Sequence, residues 1–168
     1  MSIEQHSTES VTAYYPTIHK YAQRLLRDPI LAEDVVQEVF TRYEASGRDV
    51  PRDRLRAWLY RVARNLVIDM IRKQRGPVGT VDPDLLPGAA ARYEPSLLVE
   101  KKETVAMLLQ ELNQLPPRQR EVIRLKFQEG LSYAEIADIT HQTRATVGWL
   151  LHEAMKKLRD RMTRGDRA

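Results

Sequence analysis

Residues 131–161, LSYAEIADITHQTRATVGWLLHEAMKKLRDR, read as two helices joined by a tight turn. Ser132 followed by Glu135 forms a capping box: the serine hydroxyl accepts an unpaired helix amide and the glutamate reaches back to the cap. Ile136, Ala137 and Ile139 give the first helix its apolar side. Thr143 is placed to cap the second helix, whose buried positions Val147, Leu150, Leu151, Ala154 and Leu158 recur at spacings of three and four. Only a turn around His141 fits between them. Short amphipathic helices in this arrangement make a helix-turn-helix, a motif whose second helix enters the DNA major groove. An ordinary helical hairpin in a bundle is the alternative from this segment alone.

Composition bounds the remaining readings. A chain of 168 residues is long enough for one domain or two small ones. The net charge of +4 favours attraction to phosphate, although many unrelated proteins are equally basic. The absence of cysteine excludes disulfides and thiolate zinc sites within the chain. His6, His19, His141 and His152 are scattered without metal-ligand spacing, so no metal and no cofactor is expected. No apolar run approaches the ~20 residues needed to cross a bilayer, and the N-terminus lacks a signal-peptide core. No membrane insertion is expected, and the expected location is the cytoplasm. A catalytic function finds no support: the chain has no nucleophile motif, no Gly-rich phosphate loop and no paired His and carboxylate at suitable spacing.

From Arg75 to Ser96 prolines alternate with glycines, which disfavours continuous helix or strand and marks a linker. Periodicity on both sides is helical, so the predicted fold is all-α, two small helical domains joined by a flexible linker. The expected boundaries are a disordered segment 1–10, a first domain 11–75, a linker 76–96 and a second domain 97–165. In the first domain Val11, Tyr14, Ile18, Tyr21, Ala22 and Leu25 mark one face of a helix. Asp28-Pro29 ends it and starts another, which carries Leu31, Val35, Val36, Val39, Phe40 and Tyr43 to an end near Ser46-Gly47. Pro51 and Asp53 precede a third helix with an expected stripe of Leu55, Trp58, Leu59, Val62, Leu66 and Met70.

Charge separates this half from a generic bundle. The second helix is rich in Asp and Glu and the third in Arg and Lys, which suggests one cationic and one anionic partner. Mutual neutralisation on a solvated surface is the plainer explanation. The third helix also carries Trp58, Tyr60 and Asn65. Arginines neutralise phosphates, aromatics stack on unpaired bases and an asparagine amide pairs with a base edge, a mixture suited to melted DNA. Core packing is the competing role for Trp58 and the tyrosines, and the one weighted above stacking.

At these residues the chain resembles a known family. DVVQEVF (34–40) and RAWLYRVARNLVID (56–69) are similar to domain 2 of bacterial sigma factors, and LPPRQREV (115–122) with LSYAEIA (131–137) to domain 4. Only these two domains are present, the layout of the extracytoplasmic-function (ECF) class. The resemblance covers nearly all of the chain outside its first ten residues and the linker. It implies a subunit that binds core RNA polymerase and directs promoter-specific initiation. The reading from another class is a helix-turn-helix regulator acting on duplex DNA alone; a third is a relative that has lost promoter reading.

The resemblance also assigns residues. Asp34, Gln37, Glu38 and Phe40 are the expected contacts to the polymerase clamp coiled coil, with Phe40 ambiguous because its stripe points it inward. Asn65 is expected to touch a base of the melted −10 element and Arg61, Arg64, Arg72 and Lys73 its backbone, with 46–54 as the loop beside a flipped base. Asp69 is read as an internal partner for an arginine. At the duplex −35 element the expected contacts are Arg118, Arg120, Thr143, Arg144, Trp149 and His152, with Ala145 and Gly148 also facing the groove; Arg124 has Glu121 or Gln128 as an alternative partner. Class members are often held by an anti-sigma factor, so one is an expected partner. The sequence departs from the family pattern after Thr146-Val147, where Lys-Ser-Arg or similar is usual and Gly148-Trp149-Leu150 stands instead. A weakened −35 grip or an unusual −35 sequence is the expectation. His141 occupies the turn position where glycine usually supplies a positive φ.

Overall fold

The structure, a computed structural model, describes residues 11–75 and 102–165. It divides into two compact units on either side of residues 80 and 81. The N-terminal segment and the linker expected over 76–96 lie outside the described residues.

The first unit is a three-helix bundle of α1 (Tyr15–Leu26), α2 (Pro29–Arg42) and α3 (Arg52–Arg75), each packed on the other two. α1 buries Ile18, Tyr21, Ala22 and Leu25, with Val11 closing the core from the preceding turn. Arg27 ends α1 in the left-handed conformation at φ 56°, its amide donating to the Gln23 carbonyl at 2.8 Å. Asp28 then caps α2: its Oδ1 accepts from the amides of Ile30 at 2.8 Å and Leu31 at 3.1 Å, with Pro29 at the first helical position. Proline there lacks an amide that the helix would have left unpaired anyway.

α2 buries Ala32, Val35, Val36 and Val39, then widens into a π-helical turn, Tyr43–Gly47. Tyr43 swings inward and meets Trp58 edge to face, ring centroids 6.1 Å apart. The end near Ser46-Gly47 is where periodicity placed it; the π-helical form is not encoded by periodicity.

α3 begins directly after Pro51, with Asp53 inside its first turn. Its buried face is turned from the predicted stripe. Tyr60, Ala63, Arg64, Val67 and Ile71 lie inside with Leu55, Leu59 and Leu66, whereas Trp58, Val62 and Met70 are half-buried. α3 packs against both other helices, so its covered arc is wider than one stripe and takes in Tyr60, in the packing role weighted above stacking, and an arginine that a polarity pattern assigns to the surface. Tyr60 has its ring edge to face with Tyr21 at 5.1 Å.

The second unit contains α4 (Lys102–Asn113), α5 (Pro117–Ile123), a π-helical turn Arg124–Gln128, α6 (Tyr133–Thr140) and α7 (Arg144–Gly165). α4, α5 and α6 all pack on α7, whose Val147, Leu150, Leu151, Ala154 and Leu158 are buried as the spacing predicts. Arg161 ties the far end of α7 to α4 through Glu111 at 3.1 Å. The capping box is complete: Ser132 Oγ accepts from the Glu135 amide at 3.2 Å and Glu135 Oε2 accepts from the Ser132 amide at 2.7 Å. His141 closes α6 at φ 56°, the left-handed geometry expected of that turn. Thr143 Oγ1 accepts from the Thr146 amide at 3.1 Å, capping α7.

Candidate functional site

Three surfaces carry the residues singled out by sequence. The first is the outer face of α2. Asp34 and Gln37 are exposed and Glu38 is half-exposed, at helix spacings that put all three toward solvent. Glu38 accepts from Arg42 Nε at 2.7 Å, an exposed i,i+4 pair of the kind that contributes only about 0.3–0.5 kcal/mol and leaves the carboxylate available. Phe40 is half-buried at the flank, its ring 5.8 Å from that of Tyr15 on α1. Both halves of its ambiguity are therefore real: it packs and it shows an edge.

The same flank holds a network that sequence reasoning missed. Glu33 accepts from the Tyr15 hydroxyl and, at 3.2 Å, from Gln37 Nε2, and lies 3.7 Å from His19 Nε2. The hydrogen bond from Tyr15, followed by that from Gln37, holds the Glu33 carboxyl below its ordinary range, and the same bond raises the Tyr15 hydroxyl. Ile30, 74% exposed, stands bare on this face beside Asp34 and Gln37. Its signal was in the sequence: the stripe through Ala32, Val35 and Val39 leaves position 30 on the opposite side.

The second surface is the basic side of α3. Arg72 and Lys73 are exposed and Arg61 and Asn65 half-buried, all accessible to a strand running along the helix. Arg72 lies 3.7 Å from Asp69, so the aspartate partners an arginine as the sequence suggests. Arg64 is only 6% exposed and is engaged within the protein, which separates it from the cations that can meet a phosphate. Tyr60, fully buried, cannot stack on a base. Trp58 covers Gly47, where an added Cβ would stand 3.0 Å from its Cη2, so packing accounts for this indole.

The third surface is the outer face of α7. Thr143, Arg144, Ala145 and His152 are exposed, and Trp149 is 59% exposed. Arg118 on α5 is exposed, but Arg120 is 5% exposed and donates through Nη2 to the Leu115 carbonyl at 2.8 Å. Burial, and then the neighbouring Arg124, pull the Arg120 guanidinium below its ordinary range. Arg120 thus stitches the turn between α4 and α5 and does not face solvent; Arg124 is also buried. A burial this deep is invisible in LPPRQREV, where both arginines look like surface charges.

Gly148 explains itself partly by its neighbour. A Cβ there would lie 3.6 Å from Tyr133 Cε2, ordinary contact, and Lys126 Nζ sits 5.3 Å from the centre of the same ring. Space therefore permits alanine. Gly148→Ala is expected to stabilise the second unit by about 0.5–1 kcal/mol, because helix-interior glycine costs that much relative to alanine; thermal unfolding of the purified chain checks it.

An apolar recess of about 560 Å³ also opens in this unit, lined by Leu108, Leu112, Ile123, Phe127, Met155 and Met162 among others. Among the described residues no helix is long and apolar enough to cross a membrane.

Known proteins carry the same two parts. Residues 11–76 match the family model for Sigma-70 region 2, and residues 106–158 match that for Sigma-70, region 4. Helical units matching regions 2 and 4 in this order make up a sigma-70-type initiation factor. Over 154 residues the chain is 30% identical to the ECF RNA polymerase sigma factor SigM of Bacillus subtilis, spanning 90% of this chain and 92% of the relative. It is 36% identical over 146 residues to the ECF RNA polymerase sigma factor SigL of Mycobacterium tuberculosis, spanning 83% and 79%. The chain belongs to the ECF class of bacterial RNA polymerase sigma factors. A solved structure, the sigma factor RpoE in complex with the anti-sigma factor NepR from Bartonella quintana, shares the fold. Its TM-score is 0.63 at 21% identity, covering 93% of this chain and 96% of that one. The match to region 2 favours a polymerase subunit over a regulator that acts on duplex DNA alone.

Proposed function

We propose that this sigma factor docks on core RNA polymerase through Asp34, Gln37, Glu38 and Phe40, holds the melted −10 strand with α3, and grips the −35 duplex with α7. Residues 11–75 form domain 2, 97–165 domain 4, and 76–96 connect them. The observation that carries the reading is the division of charge between two helices of one small bundle. Outward acids on α2 suit a basic polymerase helix, while Arg61, Arg72 and Lys73 on α3 suit a phosphate backbone beside Asn65. Domain 4 adds Arg118, Thr143, Arg144, Trp149 and His152 toward the groove. Arg64 and Arg120 act from inside, as packing cations that fix the helices presenting the others.

The protein is a non-catalytic subunit that works in the cytoplasm with the polymerase. An anti-sigma factor is its further partner, and the apolar recess of domain 4 is a surface such a partner can cover.

Run-off transcription with core polymerase over a promoter library tests the reading. The chain should confer initiation with no other sigma factor present, and Asn65→Ala should cut −10-dependent opening by about 1–3 kcal/mol, the worth of one good base contact. A requirement for a second sigma factor would overturn it.

A further inference from the structure

Between Arg144 and Lys156, α7 carries no lysine, arginine, asparagine or glutamine. These are the side chains that read guanine and adenine edges in the major groove. What the middle of the helix offers instead is Trp149, the one large apolar group on its outer face. The indole cannot turn inward, because Val147, Leu150 and Leu151 on both sides of it fill the buried stripe. Its neighbours toward the start of the helix are small: Ala145 one turn earlier is exposed, and Gly148 beside it has no side chain at all, while His152 follows one turn later. On that side the helix surface is thus a flat indole on a low floor, a shape that allows close approach to the groove.

An apolar group can discriminate only by what is apolar in the groove, and the thymine 5-methyl is the apolar feature displayed there. Resting on the proposed −35 grip of domain 4, we propose that Trp149 is the specificity-determining residue of that grip and selects thymine by its methyl group. Recognition in the central turns of α7 is by shape and burial, where a guanidinium would have read guanine. Arg144, at the start of the helix, supplies a fixed positive charge, and Glu153, one turn beyond Trp149, a negative one.

The test removes the methyl and nothing else. A promoter is first selected from a randomised library with the holoenzyme; each thymine of its −35 element, on either strand, is then replaced singly by deoxyuridine, which pairs identically with adenine. Binding of the holoenzyme is measured for the wild-type chain, Trp149→Ala and Trp149→Phe. At one or two positions deoxyuridine should weaken wild-type binding by about fourfold, the worth of burying one carbon group. Trp149→Ala should bind both DNAs equally, and Trp149→Phe should keep part of the discrimination. Three results overturn the proposal: indifference to deoxyuridine throughout, a methyl effect that persists in Trp149→Ala, or a Trp149→Ala that loses affinity for core polymerase with its promoter preference unchanged. The last would make the indole a protein contact. Failure of the −35 grip itself looks different, since scrambling the entire −35 element would then leave binding unaltered.

Discussion

Replacing Asp34 and Glu38 together by lysine is expected to lower affinity for core RNA polymerase by about a hundredfold or more, with the chain still folded. Both side chains point to solvent from α2, whose buried stripe of Ala32, Val35, Val36 and Val39 the change does not touch. The local cost is small: Glu38 loses its exposed pair with Arg42 and a like charge appears one turn away, worth a few tenths of a kcal/mol. At a docked interface the arithmetic differs. Two attractions to a basic helix become two repulsions in a partly desolvated contact, where like charges cost several kcal/mol, and 1.4 kcal/mol is already tenfold. Titration of a fluorescently labelled chain with core polymerase measures the loss, and circular dichroism checks that helix content is kept. The deficit should shrink for the exposed part of the interaction as salt rises. Unchanged affinity would move the docking surface off α2. The sharper companion is Ile30→Ala: a bare apolar side chain one turn before Asp34 should contribute to binding and nothing to folding.

What the sequence disclosed and what it hid follow from the range of the forces involved. Caps and turns are local, so they were legible: the Ser132–Glu135 box, Asp28 before Pro29, and His141 with its positive φ all stand as their neighbours in sequence require. The apolar stripes of α1 and α7 were legible because the side chains those helices bury are hydrophobic ones at regular spacing. α3 was misread because the residues of α1 and α2 that cover it, Tyr21 on Tyr60 among them, are distant in sequence. That is why the stripe is turned and Arg64 lies inside, whereas Tyr60 is buried in the packing role weighted above stacking. Arg120 was hidden for a related reason. Its partner is a backbone carbonyl at Leu115, exposed by the break at Pro116-Pro117, and a carbonyl has no residue letter to signal it. In each case the helix was correctly placed and the direction of one arginine was not. Function suffers more from that error than fold does, since a phosphate contact depends on which way the guanidinium turns.

Gly47→Ala should destabilise the first unit by about 1–3 kcal/mol, the usual cost of forcing one carbon into filled space. The added Cβ would meet Tyr43 Cδ2 at 2.7 Å and Trp58 Cη2 at 3.0 Å. Neither ring yields easily: Tyr43 is buried at the start of the π-helical turn, and Trp58 is held edge to face against it. The change at Gly148 is chemically the same, yet there the Cβ finds Tyr133 at 3.6 Å and the sign reverses. Space, not glycine's flexibility, decides between them. The chain has two tryptophans, Trp58 in the first unit and Trp149 in the second, so fluorescence in a Trp149→Phe background follows the first unit alone. Its melting midpoint should fall by about 4–8 °C for each kcal/mol lost in a domain of this size. Function should follow packing. Gly47 and Trp58 bracket the loop that leads into α3, so displaced rings would shift the loop proposed to lie beside the −10 strand, while α2's outer face stays in place. Promoter opening is therefore expected to weaken in Gly47→Ala before core binding does, the reverse of the order expected for Asp34 and Glu38. Loss of both together, with the fold intact by fluorescence, would mean that the two surfaces of this bundle are not separable.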